Sequence, residues 1–182
     1  KQDQGVVADV EAPAMGPLAD FLAALEKGAA ARLFALDGVT TPANVGMILR
    51  TATVLGLDGV ILPRRGVPEV GPLVIKASAG YAFRARILRC AELVDGLAAA
   101  KERGFEVVGL ADTGAEGLDG WTPRARSVLV LGNETEGVAE STRPLVDAWV
   151  RIPMARPGDW LNAAAAAAVV AWVVGRGRGA PR

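Results

Sequence analysis

Short apolar runs alternate along this chain with longer segments of helical spacing, and this alternation constrains the fold more than any other feature. The runs are nearly continuous in apolar character, which is typical of strands covered on both faces. They are residues 33–36, 59–62, 105–110, 127–131 and 149–152. Helical patterns lie between them at residues 18–31, 42–55, 91–103 and 161–174. We therefore predict an α/β fold in which helices flank a mostly parallel sheet.

The length of the chain, 182 residues, suits one domain. Residues 17–175 carry the periodic patterns and form the predicted domain. Residues 1–16 have no clear periodicity and are interpreted as a linker from an upstream region. Residues 176–182 are rich in Gly and Arg, and we expect a flexible basic tail there.

The composition excludes several kinds of catalytic site. The chain has no His, so a Ser-His-Asp triad cannot form, and a zinc site built from Cys and His is also excluded. We expect no metal. The only cysteine, Cys90, cannot form an internal disulfide, and we interpret it as a small buried residue in a reducing cytoplasm.

Charge and hydropathy limit the partners. The chain has 20 basic and 20 acidic residues, which argues against a strongly basic surface that would bind nucleic acid through phosphate neutralisation alone. An RNA substrate would then depend on a local patch, a second subunit or another domain. The longest apolar run, residues 163–174, is shorter than the roughly 20 residues that a membrane span requires. We predict a cytoplasmic protein without membrane association.

The first segment that could carry chemistry opens the second predicted helix, with Thr41 as its N-cap and Pro42 as its first residue. Gly46 and Arg50 follow four residues apart, on one helix face. A bare backbone beneath a cationic side chain would let a substrate approach closely. In the alternative interpretation Asn44 is a local cap and Arg50 an ordinary surface residue.

The second segment is a glycine-rich loop, residues 132–137, after a buried strand. It lacks the Lys of a phosphate-binding loop, and Glu134 and Glu136 would repel phosphate. An uncharged or cationic ligand fits it better, although an unrelated nucleotide-binding enzyme stays an alternative. The third segment runs from Ile152 to Asn162 into an alanine-rich helix, which could also be an ordinary core helix capped by Asn162.

Together, the order and spacing of these segments resemble the SpoU/TrmH branch of the SPOUT RNA methyltransferases. The matching motifs are Asn44-x-Gly46-x-x-x-Arg50, Gly132-x-Glu134-x-x-Gly137 and Ile152-Pro153-Met154 followed by Leu161-Asn162. Residues 76–80 and the linker residues 4–8 are similar to further elements of the family, so the resemblance spans nearly the whole chain.

The resemblance implies transfer of a methyl group from S-adenosylmethionine to a ribose 2′-hydroxyl of rRNA or tRNA. It also implies a parallel sheet with a C-terminal trefoil knot and a homodimer whose subunits complete the active site together. Residues 17–175 would be the catalytic domain, and residues 1–16 the linker from a missing N-terminal RNA-binding domain.

The resemblance assigns roles to residues of all three segments. Arg50 resembles the family's essential arginine, which is sometimes proposed as the base. We instead expect Arg50 to orient the adjacent phosphate and stabilise the developing alkoxide, with Asn44 and Glu134 fixing the site. A free guanidinium loses its proton only above about pH 12, which disfavours Arg50 as a literal base. The implied cofactor-binding residues are Ala111, Leu131, Gly132, Gly137, Ile152, Met154, Leu161 and Asn162.

Two residues depart from the family pattern. Trp160 stands where the family usually has Ser, and Ala164 replaces a following Ser. The lost hydroxyls could weaken substrate or cofactor contacts, while Trp160 could instead stack on a base. These departures leave open a non-catalytic RNA-binding module that has kept the fold and lost methyl transfer.

Overall fold

A computed structural model describes residues 9–112, 116–156 and 158–175. Eight strands and five helices follow one another along these residues. They are β1 Met15–Pro17, α1 Leu18–Ala24, β2 Ala31–Leu36, α2 Pro42–Val54, β3 Gly59–Pro63, α3 Pro72–Ala77, β4 Ile87–Cys90, α4 Leu93–Glu102, β5 Glu106–Leu110, β6 Glu116–Gly117, β7 Arg126–Leu131, β8 Ala148–Arg151 and α5 Ala163–Gly175. Short 3₁₀ turns lie at Tyr81–Phe83 and Arg143–Leu145.

All eight strands form one sheet in the order β1-β4-β3-β2-β7-β5-β8-β6, and every pairing is parallel. The predicted α/β architecture is therefore confirmed. Among the described residues, the sheet has helices on both faces and none of the helices is long and apolar enough to cross a membrane.

The apolar strands bury alternate side chains in two separate cores. In β2, Phe34 and Leu36 join the core beneath α2, α3 and α5, while Leu33 and Ala35 join the core beneath α1 and α4. Since both faces are covered, the strand has no solvent face on which polar residues would alternate. This explains the continuous apolar runs in the sequence.

The structure corrects several predicted boundaries. Helix α1 ends at Ala24, not at residue 31, because Gly28 adopts a left-handed turn (φ +84°) and Ala31 already pairs with β7. Met15 and Gly16, assigned to the linker by sequence, pair with Ile87 and Leu88 of β4. Strands β1, β4 and β6 and helix α3 were not predicted. They are two to six residues long, too short for a periodic pattern.

Residues 1–8 and the predicted tail, residues 176–182, lie outside the described residues.

Candidate functional site

A cleft of about 870 Å³ opens at the carboxyl ends of β5, β7 and β8. This is where open parallel sheets usually bind ligands, because the loops that leave adjacent strands meet there. The walls consist of residues 110–112 after β5, residues 131–138 after β7, residues between β8 and α5, and the first turns of α5.

Seven of the eight predicted cofactor-binding residues line this cleft. They are Ala111, Leu131, Gly132, Gly137, Ile152, Met154 and Leu161. The eighth, Asn162, is not among the lining residues. Its Oδ1 accepts a hydrogen bond of 2.8 Å from Ala165 N, so it caps α5, as the core-helix interpretation predicted.

The loop after β7 is closed on itself by backbone hydrogen bonds. Asn133 and Gly137 exchange two bonds, each 2.9 Å long, and Gly137 has a φ of +70°. A Cβ on Gly132 would lie 2.2 Å from the carbonyl carbon of Gly137, so only glycine fits there. Gly132 is therefore needed for the close approach that shapes this wall of the cleft, and Gly137 supplies a left-handed turn that favours glycine.

Asn133 is the main polar anchor of the loop, and sequence analysis did not single it out. Its Oδ1 accepts bonds from the backbone N of Thr135 (2.8 Å) and Glu136 (3.2 Å). Its Nδ2 donates to the carbonyl of Gly38 at 2.9 Å. An Asn directly after a strand, followed by a turn, is the signal that could have identified it.

The catalytic candidates Asn44 and Glu134 meet at the edge of the cleft. Asn44 Nδ2 donates a hydrogen bond to Glu134 Oε1, and Glu134 also lines the cleft. Asn44 is thus a tertiary contact, not a local cap. Thr41 does occupy the N-cap position of α2, with Pro42 as the first helical residue, but its side chain makes no capping hydrogen bond.

Arg50 is not among the residues that line the cleft. It is exposed on α2, and its guanidinium carbon lies 5.6 Å from the centroid of the Tyr81 ring. The sequence suggested that Gly46 gives a substrate access to the backbone, and the structure contradicts this interpretation. A Cβ there would lie 2.5 Å from the carbonyl oxygen of Val74, so Gly46 instead lets α3 pack against α2.

The charged residues that line the cleft are predominantly acidic. Four carboxylates, Asp112, Glu134, Glu136 and Asp159, face one basic residue, Arg143, whose Nε donates to the carbonyl of Val138 at 3.1 Å. Apolar walls complete the cleft. Within the described part of the chain, no group of three or more His, Cys, Asp or Glu side chains could hold a metal ion.

The two departures from the motif have different surroundings. Trp160 lines the cleft and is 71% exposed, so its ring is available to a ligand. Ala164 is buried in the core beneath α5 and does not line the cleft, whereas its neighbours Ala163 and Ala166 do. The cleft wall is therefore altered at Trp160 and not directly at Ala164.

Comparison with known proteins gives one consistent answer. The SpoU rRNA Methylase family pattern matches residues 31–172. A protein of Mycobacterium ulcerans (strain Agy99) named "Uncharacterized tRNA/rRNA methyltransferase" is 38% identical over 162 residues, which cover 87% of this chain and 51% of that protein. The chain spans about half the length of the curated relatives it matches.

Solved structures agree in fold. The SpoU methyltransferase AviRb from Streptomyces viridochromogenes, crystallised with AdoMet, superposes with a TM-score of 0.76 and 28% identity, covering 86% of this chain and 61% of AviRb. A structure described as an RNA 2′-O ribose methyltransferase superposes with a TM-score of 0.74 and 27% identity, covering 85% and 59% of the two chains.

Proposed function

Since the chain belongs to the SpoU rRNA Methylase family, we propose that it transfers a methyl group from S-adenosylmethionine to a ribose 2′-hydroxyl of rRNA or tRNA. The observation that carries this proposal is the cleft, because seven of the implied cofactor-binding residues line it together with Glu134. The solved relatives that carry AdoMet or are described as 2′-O ribose methyltransferases support the cofactor and the target atom.

The cleft suits S-adenosylmethionine in size and charge. Its volume lies in the range of pockets for small-molecule cofactors. Its carboxylates favour the positive sulfonium and ammonium groups, and the closed loop from Gly132 to Gly137 presents backbone groups to a ligand. When bound, the cofactor supplies an electrophilic methyl group on sulfur.

The chain's own residues have to position the hydroxyl and manage its proton. The reaction forms a bond between the 2′-oxygen and the methyl carbon, breaks the sulfur–methyl bond, and releases one proton with S-adenosylhomocysteine. Glu134, held by Asn44, fixes the reacting edge of the cleft. Arg50 orients the adjacent phosphate and stabilises the developing alkoxide, as a permanent cation can without losing its proton.

A homodimer would explain how Arg50 reaches a cleft that it does not line. Met47, Arg50 and Val54 share one exposed face of α2, and α2 packs beside α5, which exposes Val169 and Trp172. Exposed apolar residues on adjacent helices are typical of a subunit interface. We place the dimer contact on this face, so that Arg50 of each subunit serves the cleft of the other.

The test is a methylation assay with unmodified rRNA and tRNA transcripts and radiolabelled S-adenosylmethionine. A 2′-O-methyl group blocks alkaline cleavage of the following phosphodiester, so ribose methylation leaves the label in alkali-resistant dinucleotides. Label in mononucleotides would show base methylation and overturn the ribose assignment.

Calorimetric titration with S-adenosylmethionine accompanies the assay, because the chain spans only part of its relatives. Saturable micromolar binding supports the methyltransferase proposal even without transfer to RNA, whereas RNA binding with weak or absent cofactor binding would favour the non-catalytic RNA-binding alternative. Absence of cofactor binding would contradict the assignment of the cleft. The trefoil knot and the cytoplasmic location stay predictions.

A further inference from the structure

Basic residues are concentrated in one part of this neutral chain. Residues 38–91 contain seven Lys and Arg against two Asp and Glu, while the whole chain has 20 of each. The cleft, formed mainly by later residues, has four carboxylates and one Arg. Three of the seven, Arg50 on α2, Lys76 on α3 and Arg84 directly after the following 3₁₀ turn, lie on elements that contain no Asp or Glu. A polyanion such as RNA would therefore approach these elements more readily than the acidic cleft walls.

Two arginines of this basic part share one aromatic ring. The guanidinium carbons of Arg50 and Arg84 each lie 5.6 Å from the centroid of the Tyr81 ring, within the range of cation–π attraction. Both arginines are exposed, and none of the ion pairs among the described residues includes either of them. The ring thus holds two cations near each other without a carboxylate to neutralise them.

Hydrogen bonds fix the turn that carries Tyr81. Ser78 Oγ accepts a hydrogen bond of 3.1 Å from Ala82 N, and Tyr81 O accepts bonds of 2.9 Å from the backbone N of Arg84 and Ala85. Gly46 brings α3, which leads into this turn, directly against α2, which carries Arg50. Tyr81 is half-buried, so its ring is a support between two exposed side chains.

From this arrangement, and resting on the proposed function, we propose that Tyr81 is a positioning residue for the RNA substrate. Its ring holds Arg50 and Arg84 next to each other. The two guanidinium groups bind phosphates of a single-stranded RNA segment beside the target nucleotide. Each phosphate that enters relieves the repulsion between the two guanidinium groups. The exposed ring of Phe83, two residues away, offers a stacking surface for a base of the same strand.

The test measures binding of a fluorescent single-stranded RNA by anisotropy, at several salt concentrations. Tyr81→Leu removes the ring and should weaken binding about two- to five-fold, the range expected for exposed cation–π contacts. Tyr81→Phe keeps the ring and should bind like the unaltered chain. Arg84→Gln should weaken binding and reduce the slope of log affinity against log salt by about 0.7, one phosphate contact on a single strand.

A matched control removes the same charge elsewhere in the basic part. Arg65→Gln alters an exposed arginine that pairs with Glu92 at 3.1 Å, and it should leave the RNA affinity nearly unchanged. All variants should bind S-adenosylmethionine normally, which separates this effect from misfolding and from a failure of the cleft assignment. In the Tyr81→Leu, Arg84→Gln double variant, the two losses should be less than additive.

Three results would overturn the inference. The first is that Tyr81→Leu binds RNA like the unaltered chain. The second is that Tyr81→Phe loses as much affinity as Tyr81→Leu. The third is that polyglutamate competes with the labelled RNA for the chain as well as unlabelled RNA of equal charge does. The last result would assign the pair to an acidic protein partner. If the unaltered chain binds S-adenosylmethionine but no RNA, both this inference and the proposed RNA substrate are wrong.

Discussion

Asn44 Nδ2 donates a hydrogen bond to Oε1 of Glu134, which joins the first turn of α2 to the loop after β7 across 90 positions of sequence. Neither side chain is fully buried. The bond therefore aligns two motifs at the edge of the cleft and contributes less to the core than to the geometry of the site.

Breaking this bond should affect catalysis more than stability. Asn44→Ala and Glu134→Ala should each lower kcat by about 10- to 100-fold, because small misplacements of positioned groups reduce rates by such factors. The double variant should lose little more than the worse single variant, since the two residues act as a unit. Steady-state kinetics of methyl transfer to unmodified RNA measure all three.

Glu140→Gln is the control. Glu140 is an exposed carboxylate close in sequence to Glu134, and it does not line the cleft. It should retain the rate of the unaltered chain. Fully additive losses in the double variant would contradict a joint role for Asn44 and Glu134.

The two glycines of the loop should respond differently to alanine. Gly132→Ala places a Cβ 2.2 Å from the carbonyl carbon of Gly137, so the loop must move and S-adenosylmethionine binding should be lost. Gly137→Ala meets no atom within 4 Å, but its φ of +70° is unfavourable for alanine by roughly 1–2 kcal/mol. It should therefore lower the free energy of unfolding while cofactor binding persists.

Calorimetry with S-adenosylmethionine and urea unfolding distinguish these effects. Equal cofactor affinity of both variants would contradict the argument that the close approach at Gly132 shapes the cleft.

The sequence predicted the parts of the fold that carry long or continuous patterns. Five strands and four helices were located because burial on both faces of the sheet leaves a run such as residues 128–131 wholly apolar. The edge strand Met15–Pro17 was missed because three residues, one of them proline, show no alternation.

The candidate site was predictable where a motif lies at a strand end. Leu131 and Gly132 follow β7, and loops after parallel strands converge on one edge of the sheet. The role of Gly46 was not predictable, because its contact with Val74 depends on α3, a six-residue helix that the sequence pattern did not reveal. The Tyr81 contact with Arg50 depends on the same packing and was missed for the same reason.

Gly46→Ala should therefore act on stability. The added Cβ would lie 2.5 Å from Val74 O and 2.7 Å from Ala77 Cβ, and such overpacking costs about 1–3 kcal/mol. Urea unfolding should show this loss, while Gly16→Ala, which meets no atom within 4 Å, should not. Unchanged stability with reduced RNA methylation would instead restore the interpretation that a substrate approaches the backbone at Gly46.

The pH dependence of stability should include a contribution from Asp147. Partial burial alone would raise the pKa of this carboxyl, but hydrogen bonds from Lys101 (2.5 Å) and from Val107 N (2.9 Å), with the charges of Lys101 and Arg124, lower it. A lowered pKa in the folded state means stabilisation that is complete above the ordinary value of 3.8 and is lost as the pH falls through the folded pKa.

Urea unfolding between pH 7 and pH 2 measures this contribution. Asp147→Asn should be less stable than the unaltered chain by under about 1 kcal/mol near pH 7, and the difference should shrink below about pH 4. Lys101→Met should reproduce this pH dependence, because it removes the principal side-chain partner. A difference that is independent of pH would contradict the assignment.

Mixed dimers should reveal whether Arg50 serves the cleft of its own subunit or that of its partner. Arg50→Ala and Gly132→Ala subunits, co-expressed with different tags, are purified as a heterodimer. If Arg50 acts across the interface, the cleft of the Arg50→Ala subunit receives an intact Arg50 and the heterodimer keeps about half of the normal kcat. If Arg50 acts within its own chain, neither site is complete and activity stays at the level of the single-variant homodimers.

The reciprocal pair inverts this outcome and is the control. A wild-type subunit paired with an Arg50→Ala, Gly132→Ala double variant should be inactive if Arg50 acts across the interface, since the only intact cleft then faces the altered Arg50 position. Half activity in this pair would assign Arg50 to its own cleft. Failure to recover any heterodimer with both tags would overturn the proposed contact through α2 and α5, because subunits that associate through the exposed face of Val54 and Trp172 must be captured together.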